Sequence, residues 1–511
     1  MSADADNAST TQIRGSALLL AGQVFALVVN LGVQILIVRN LSQESFGAFA
    51  YALSIALIGE SIARFGMRRG AARYMPLYEE SGDPARVAGT FFLAVSTVLG
   101  LGLVVVLLIA GLRGAIAGSF EDDSTAITVL VLLALLAPIE ALGSVLDAVF
   151  AVFGRPRAVV MRRFVLTPLL RLIVVALLIA QDQGVTFLAV GYIATGLAGL
   201  VLYAPLMATV LREHDLARWL RPGRLVVPAR EVLSFTVPLL SSDITGAVLT
   251  GAGGVMLGLL ATPTDVADLR AVMPVALTMG YVLTSFGLLL VPLASRLYAR
   301  NDAEELNNLY WRTAVWTGVL AFPIMLTCVA LAEPVTVLLF GERYAAAAPV
   351  LAVLAVGQFV NTAAGNNGVM LGVFRRVRFI AFTNFAALAL IVALMFALIP
   401  PFEAVGAAVA TSLTIIALNV VRQVGLARQT SIHGFVPQAW APYLAMTGGT
   451  AIAIAIQQAV SPPTAFAVVL VAVAVAVVFA VARHELALAE TFPELTRIPL
   501  LGYLVGARSE T

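Results

Sequence analysis

The chain has 511 residues, 60% of them hydrophobic and 12% charged, with a mean hydropathy of +0.97 and a formal net charge of +2. A soluble domain keeps roughly a quarter of its residues charged, so composition excludes a soluble protein and leaves a polytopic membrane protein. The single cysteine, Cys328, excludes a disulfide framework and a cysteine metal site.

Residues 1–14, MSADADNASTTQIR, form a polar, acidic tail with no small-residue cleavage site after it, so the first apolar run reads as a true span and not a signal peptide. About 20 apolar residues cross the hydrocarbon as a helix. Fourteen such runs follow one another: 15–38, 47–67, 87–112, 126–148, 159–180, 186–210, 232–260, 269–292, 311–332, 346–371, 379–399, 404–427, 440–458 and 464–482. All 31 basic residues are arginine. With a cytoplasmic N-terminus, 25 of the 31 fall on the inside, in the tails and in the stretches after even-numbered spans such as MRRGAARY and GRPRAVVMRR. That bias fixes the orientation, with both termini cytoplasmic.

Polar residues inside the spans mark the candidate site, because a charge in the membrane costs at least about 2.5 kcal/mol and faces a partner or a wet cavity. Span 1 carries Gln23, Asn30 and Gln34 on one stripe. Span 2 carries Glu60 and Arg64, four residues apart, and the basic loop after it adds Arg68 and Arg69. Arg64 reads either as a side chain snorkelling to the interface with Glu60 as its pair, or as part of a cavity wall. On the wall, Arg64, Arg68 and Arg69 suit the phosphoryl oxygens of an anionic lipid carrier. The outer loop after span 3 holds Glu121, Asp122 and Asp123, a solvated turn. Glu140 in span 4 and Arg171 in span 5 reach similar depth from opposite sides, so they should meet, as a buried lock or as a pair that opens to substrate. Asp147 sits near the inner end of span 4 and should answer the Arg155–Arg163 cluster.

Residues 211–231 link two halves that echo each other at an offset of about 220 residues: FGRPRAVVMRRFVLTPLLRLIVVALLIA recurs in pattern as VFRRVRFIAFTNFAALALIVALMFALIP. The offset skips an even number of spans, so the repeats are parallel. Two six-helix bundles, 15–210 and 232–427, are the pattern of a transporter with its substrate path between repeats. Span 7 places Asp243 mid-membrane, a candidate for a coupling H+ or Na+ or for a simple interhelical hydrogen bond. Asn361, Asn366, Asn367 and Asn384 supply polar surface in the second bundle, where amides serve as interhelical glue. Spans 13 and 14, within 440–482, have no counterpart, and the tail 483–511 is placed at the cytoplasmic interface. No GxxxxGK[ST] and no HExxH occurs, so catalytic residues, metal and cofactor are not expected, and nothing points to nucleic acid.

The opening GSALLLAGQVFALVVNLGVQILIVRNLSQESFGAFAYALSI, with the Arg-Tyr-Met-Pro that follows span 2, resembles polysaccharide flippases. These are the Wzx-like branch of the multidrug/oligosaccharidyl-lipid/polysaccharide exporter superfamily. SFTVPLLSSDITGAVLTGAGGVMLGLLATPTDVADLRAV looks like the same family's seventh helix, and the likeness runs over nearly the whole chain. The resemblance implies an all-α protein of about 14 spans that is not an enzyme. It would work as a monomer in the cell membrane, moving undecaprenyl- or dolichol-type lipid-linked sugars from the cytoplasmic to the outer leaflet. The related lipid II flippases carry arginines in helix 1; here helix 1 has only amides, which argues against a peptidoglycan precursor. Two alternatives stay open at this point. One is a multidrug antiporter of the same superfamily, which has twelve spans and a less arginine-rich cavity. The other is a membrane glycosyltransferase or ligase, which needs a larger acidic outer loop than residues 121–123 provide.

Overall fold

In a computed structural model that describes residues 2–117, 124–221, 223–433, 436–460 and 464–485, the chain is helical, with no strand among the described residues. The acidic loop Glu121, Asp122 and Asp123 and the tail beyond 485 lie outside them. In chain order the helices are α1 (Ser2–Asn40), α2 (Gln43–Arg64), α3 (Met67–Glu80), α4 (Pro84–Gly111), α5 (Arg113–Ala117), α6 (Ser124–Ala134), α7 (Leu136–Val152), α8 (Pro156–Val159), α9 (Thr167–Ala180), α10 (Val185–Glu213) and α11 (Ala229–Leu260). Then come α12 (Pro263–Leu277), α13 (Met279–Ala299), α14 (Ala303–Ala330), α15 (Ala332–Phe340), α16 (Ala348–Ala363), α17 (Asn367–Val373), α18 (Val377–Gln429), α19 (Pro437–Val460) and α20 (Thr464–Glu485). The polar residues 2–14 are continuous with α1.

Thirteen stretches of the described residues are long and apolar enough to cross a membrane. One of them, α18, has 53 residues. At 1.5 Å per residue that is roughly 80 Å, against roughly 30 Å of hydrocarbon. It is two crossings joined at Glu403, whose φ of 50° and ψ of −128° break the helix just after Pro400 and Pro401. Fourteen crossings result, and the chain is a multi-pass membrane protein.

Starts and stops follow local chemistry. The Ser42 hydroxyl accepts from the Ser45 N–H to cap α2, and Asp83 accepts from the Arg86 N–H ahead of Pro84 to cap α4. The segment after α2 corrects the expected basic loop: it is the helix α3. Phe65 (φ 47°) and Gly66 (φ 68°) turn left-handed and end α2, and the chain then restarts as an amphipathic helix that buries Met67, Gly70, Ala71, Met75 and Tyr78. The stretch GRPRAVVMRR, of which 159–163 already fall in the expected span 159–180, is helical from Pro156 onward. Pro156 starts α8, and the chain runs through a π-helix at Val160–Leu166 straight into α9.

Contacts group the chain into residues 1–271 and 272–511. In the first unit α2 packs on α4, α6, α7 and α11, and α3 on α4, α7 and α11. Helix α11, placed by the sequence at the start of the second bundle, thus makes its contacts within the first unit. In the second unit α14 packs on α13, α16, α19 and α20, around the buried Tyr310, Phe322 and Phe340.

Candidate functional site

The first unit concentrates the intramembrane charges. At the end of α2, Arg64 Nη2 lies 2.5 Å from Glu60 Oε1, a spacing the i,i+4 geometry of one helix face provides. Arg69, one turn into α3, reaches across to α11 and pairs with Asp243 at 2.9 Å. The approach depends on a missing side chain: a Cβ on Gly66 would come to 3.1 Å of the Thr236 carbonyl oxygen on α11. Asp243 therefore has a cation as its partner in this state.

Glu140 on α7 and Arg171 on α9 meet at 3.0 Å, as their depths required. Both side chains are about a quarter exposed, and the Arg171 guanidinium stands 4.8 Å from the Tyr192 ring centre. Beside them lies a residue that the sequence places only within the Arg155–Arg163 cluster. Arg162, in the π-helix, is 5% exposed. Its Nη1 is 3.3 Å from Asp147 Oδ1, and its Nη2 is 3.7 Å from Glu140 Oε2. The Tyr203 hydroxyl donates to the same Asp147 oxygen at 2.5 Å, and the Tyr203 ring centre is 4.9 Å from the Arg162 guanidinium. Glycines on two helices leave room for it: a Cβ on Gly143 would sit 2.0 Å from Arg162 Nη2, and one on Gly199 2.9 Å from Nε.

The result is a chain of charges, Arg171–Glu140–Arg162–Asp147, closed by Tyr203. Asp147 does answer the Arg155–Arg163 cluster, through Arg162, while Arg155 turns to Glu213 at 2.5 Å. The cluster could be set against Asp147 from the sequence, but nothing in a single sequence announces the π-turn that selects Arg162 from it. The signal present in the sequence was the carboxylate of Asp147 near that cluster.

Arg68, Arg69, Asp147, Ala148, Val159 and Arg163 are among the walls of a cavity of about 490 Å³ in this unit. The amides of α1 part company. Gln34 Nε2 donates to the Arg270 carbonyl at 3.1 Å, Gln23 is half-buried and Asn30 is exposed. In the second unit the asparagines tie helices together: Asn367 donates to the Asn419 side chain at 3.0 Å, Asn419 to Asn361 at 2.9 Å, and Asn366 to the Leu283 carbonyl at 3.2 Å. Asn384 accepts from Arg422 at 2.6 Å.

The family model for polysaccharide biosynthesis proteins matches residues 36–349, more than half of the chain. The chain belongs to that family. No curated protein matches it in sequence. Among solved structures it is similar to a lipid II flippase, MurJ, in an inward closed conformation, at 12% identity and a TM-score of 0.70 over 94% of this chain and 99% of that one. It is also similar to an inward-facing multidrug resistance MATE family transporter of the MOP superfamily, at 14% identity and a TM-score of 0.62 over 81% and 99%. A MOP superfamily transporter from Pyrococcus furiosus Vc1 matches at 14% identity and a TM-score of 0.54 over 82% and 96%. At these identities the likeness is one of fold, and the fold of this polysaccharide biosynthesis family member is that of the MOP superfamily.

Proposed function

We propose that this family member is a flippase that carries a polyprenyl-(pyro)phosphate-linked oligosaccharide from the cytoplasmic to the outer leaflet by alternating access. It works in the cell membrane with both termini cytoplasmic. The family match and the fold likeness to a protein named for flipping lipid II support a lipid-linked cargo.

The observation that carries the reading is that Glu140 is shared. Its two oxygens lie 3.0 Å from Arg171 and 3.7 Å from Arg162. A pair that only locked helices would be sealed, as Arg162–Asp147 is, at 5% and 9% exposure. Glu140 and Arg171 instead stay about a quarter exposed at a depth where exposure to hydrocarbon would be costly. They face water. Because Arg162 can keep Glu140 neutralised, Arg171 can let go and offer its fork to a passing phosphate without stranding a carboxylate. Glu60, Arg64, Arg68, Arg69, Gln23, Asn30 and Gln34 then supply the rest of the polar path, and Asp243 is the candidate for ion coupling.

The test is complementation of surface-glycan export with Arg171→Ala and Arg171→Lys, with membrane levels checked. Loss of export with Ala and partial rescue by Lys is the expected result. Normal export by both variants overturns the proposal.

A further inference from the structure

The connection between α10 and α11 is pinned to the end of the first unit. Leu216 is 3% exposed and packs with Tyr78, Val87 and Val210. The Arg224 N–H donates to the Arg221 carbonyl at 3.2 Å, closing a turn through Gly223, whose φ is 86°. The strap that follows lies on α4 by its backbone: a Cβ on Gly89 would come to 1.9 Å of the Val226 carbonyl oxygen and 3.1 Å of Val227 Cα. Pro228 is buried where α11 begins.

These contacts fix the depth of the strap. Gly89 stands two residues inside the apolar run 87–112, and the runs before and after the connection end at 210 and resume at 232. The strap therefore follows the boundary where three crossings enter the hydrocarbon. There it exposes Val226 at 48% and Val227 at 38%. Arg221, Arg224 and Arg230 flank the two valines, all exposed and none ion-paired among the described residues. The carboxylates around them are engaged elsewhere: Glu213 by Arg155, Asp215 by Arg218, Glu79 by His214, and Glu231 by Tyr78 at 2.6 Å and Arg86 at 3.7 Å.

Valines exposed at that depth favour hydrocarbon, and guanidiniums beside them favour the anions of a headgroup layer. A soluble acidic partner could meet the arginines, but here the valines abut the bilayer itself. We propose that this strap is a docking surface for anionic phospholipid. Val226 and Val227 insert at the hydrocarbon boundary, and Arg221, Arg224 and Arg230 take the phosphates of the surrounding headgroups. The leaflet at this end of the bundle thereby holds the joint between the sixth and seventh crossings. The surface needs only that the chain crosses a membrane, so it stands or falls apart from the flippase reading.

The experiment uses the full chain in nanodiscs, with a bimane fluorophore on Val226→Cys; the one native thiol, Cys328, is buried. Protection of the fluorophore from acrylamide, a neutral quencher, is followed as phosphatidylglycerol replaces phosphatidylcholine. Protection should rise with the phosphatidylglycerol fraction and vanish in 1 M salt, where the Debye length is about 3 Å. Arg221→Gln, Arg224→Gln and Arg230→Gln should each raise the fraction needed for half-protection about fivefold, the factor that one basic residue contributes near an anionic surface. The corresponding Arg→Lys variants keep the charge and should stay within about twofold of the parent. Because all three side chains are exposed, the variants should melt with the parent. Equal protection in pure phosphatidylcholine and in phosphatidylglycerol overturns the proposal, as do Gln variants that behave like the parent. Protection in phosphatidylcholine by glycerol phosphate assigns the arginines to a free phosphate, and protection there by polyglutamate assigns them to an acidic protein; either also overturns it. If the strap responds as described while Arg171→Ala exports normally, the lipid surface stands and the flippase reading falls. If Arg171→Ala abolishes export while the strap ignores phosphatidylglycerol, the reverse holds.

Discussion

Replacing Gly143 by alanine tests whether Arg162 is the anchor of the first unit. The new Cβ would lie 2.0 Å from Arg162 Nη2 and 2.6 Å from Cζ and Nη1, where ordinary contact begins at 3.4 Å, so the guanidinium must retreat by roughly 1.4 Å. The clash is with the end of a flexible side chain, so the steric cost alone is small. The electrostatic cost is not. The pairs at 3.3 Å to Asp147 and 3.7 Å to Glu140 have little slack, and a buried charge deprived of its partner costs about 3–5 kcal/mol. Tyr203 still donates to Asp147, and Arg171 still holds Glu140, so the expected destabilisation is at the lower end, about 3 kcal/mol. Gly199→Ala is the internal comparison. Its Cβ would meet Nε at 2.9 Å, and that nitrogen makes no hydrogen bond, so the loss should be clearly smaller. The assay is thermal unfolding of the detergent-solubilised protein, read by tryptophan fluorescence. If Gly143→Ala melts at the parent's temperature, or if Gly199→Ala is the worse variant, Arg162 is not held as described.

Removing the Tyr203 hydroxyl with Tyr203→Phe keeps the ring against Phe150, 4.6 Å between centres, and deletes one hydrogen bond to a carboxylate. The same melt should show a loss of about 1.5–3 kcal/mol; no shift would mean that Arg162 alone satisfies Asp147. Glu403→Gly should stabilise the chain, because glycine accepts the φ of 50° and ψ of −128° at the turn between the two halves of α18, where a residue with a Cβ carries strain of about 1–3 kcal/mol. A lower melting temperature would refute that. Asp243→Asn removes the charge that Arg69 pairs with at 2.9 Å, a partly exposed pair worth about 1 kcal/mol or less, so the melting temperature should fall only slightly. A large loss of stability would make the pair a structural tie, and loss of ion dependence of transport with an unchanged melt would make Asp243 an ion ligand.

The membrane crossings were legible because apolar length is a property of the sequence itself. The Glu140–Arg171 pair was legible because helical rise converts residue number into depth. What escaped was whatever depended on local backbone irregularity. The left-handed joint at Phe65–Gly66 turned an expected loop into α3, which sets Arg69 opposite Asp243. The π-helix rotated Arg162 inward, and its worth rests on absent side chains at Gly143 and Gly199, more than fifty residues apart. Gln34 reads as part of a polar stripe on one helix, yet it serves the Arg270 carbonyl, a partner no periodicity could name.

The π-helix at Val160–Leu166 makes this part of the site open to change by a single codon. A π-turn holds one residue more than an α-turn between the same hydrogen-bonding ends, so the segment is what a single-codon insertion leaves when the helix on either side keeps its place. Such an insertion spares the downstream face, where Arg171 sits, and alters only the residues inside the turn. Here those residues are two adjacent arginines, one sealed among carboxylates and the other left on the cavity. A lineage that gained or lost one codon at this point could thus add or erase a charge on the cavity wall while inheriting the fourteen crossings intact.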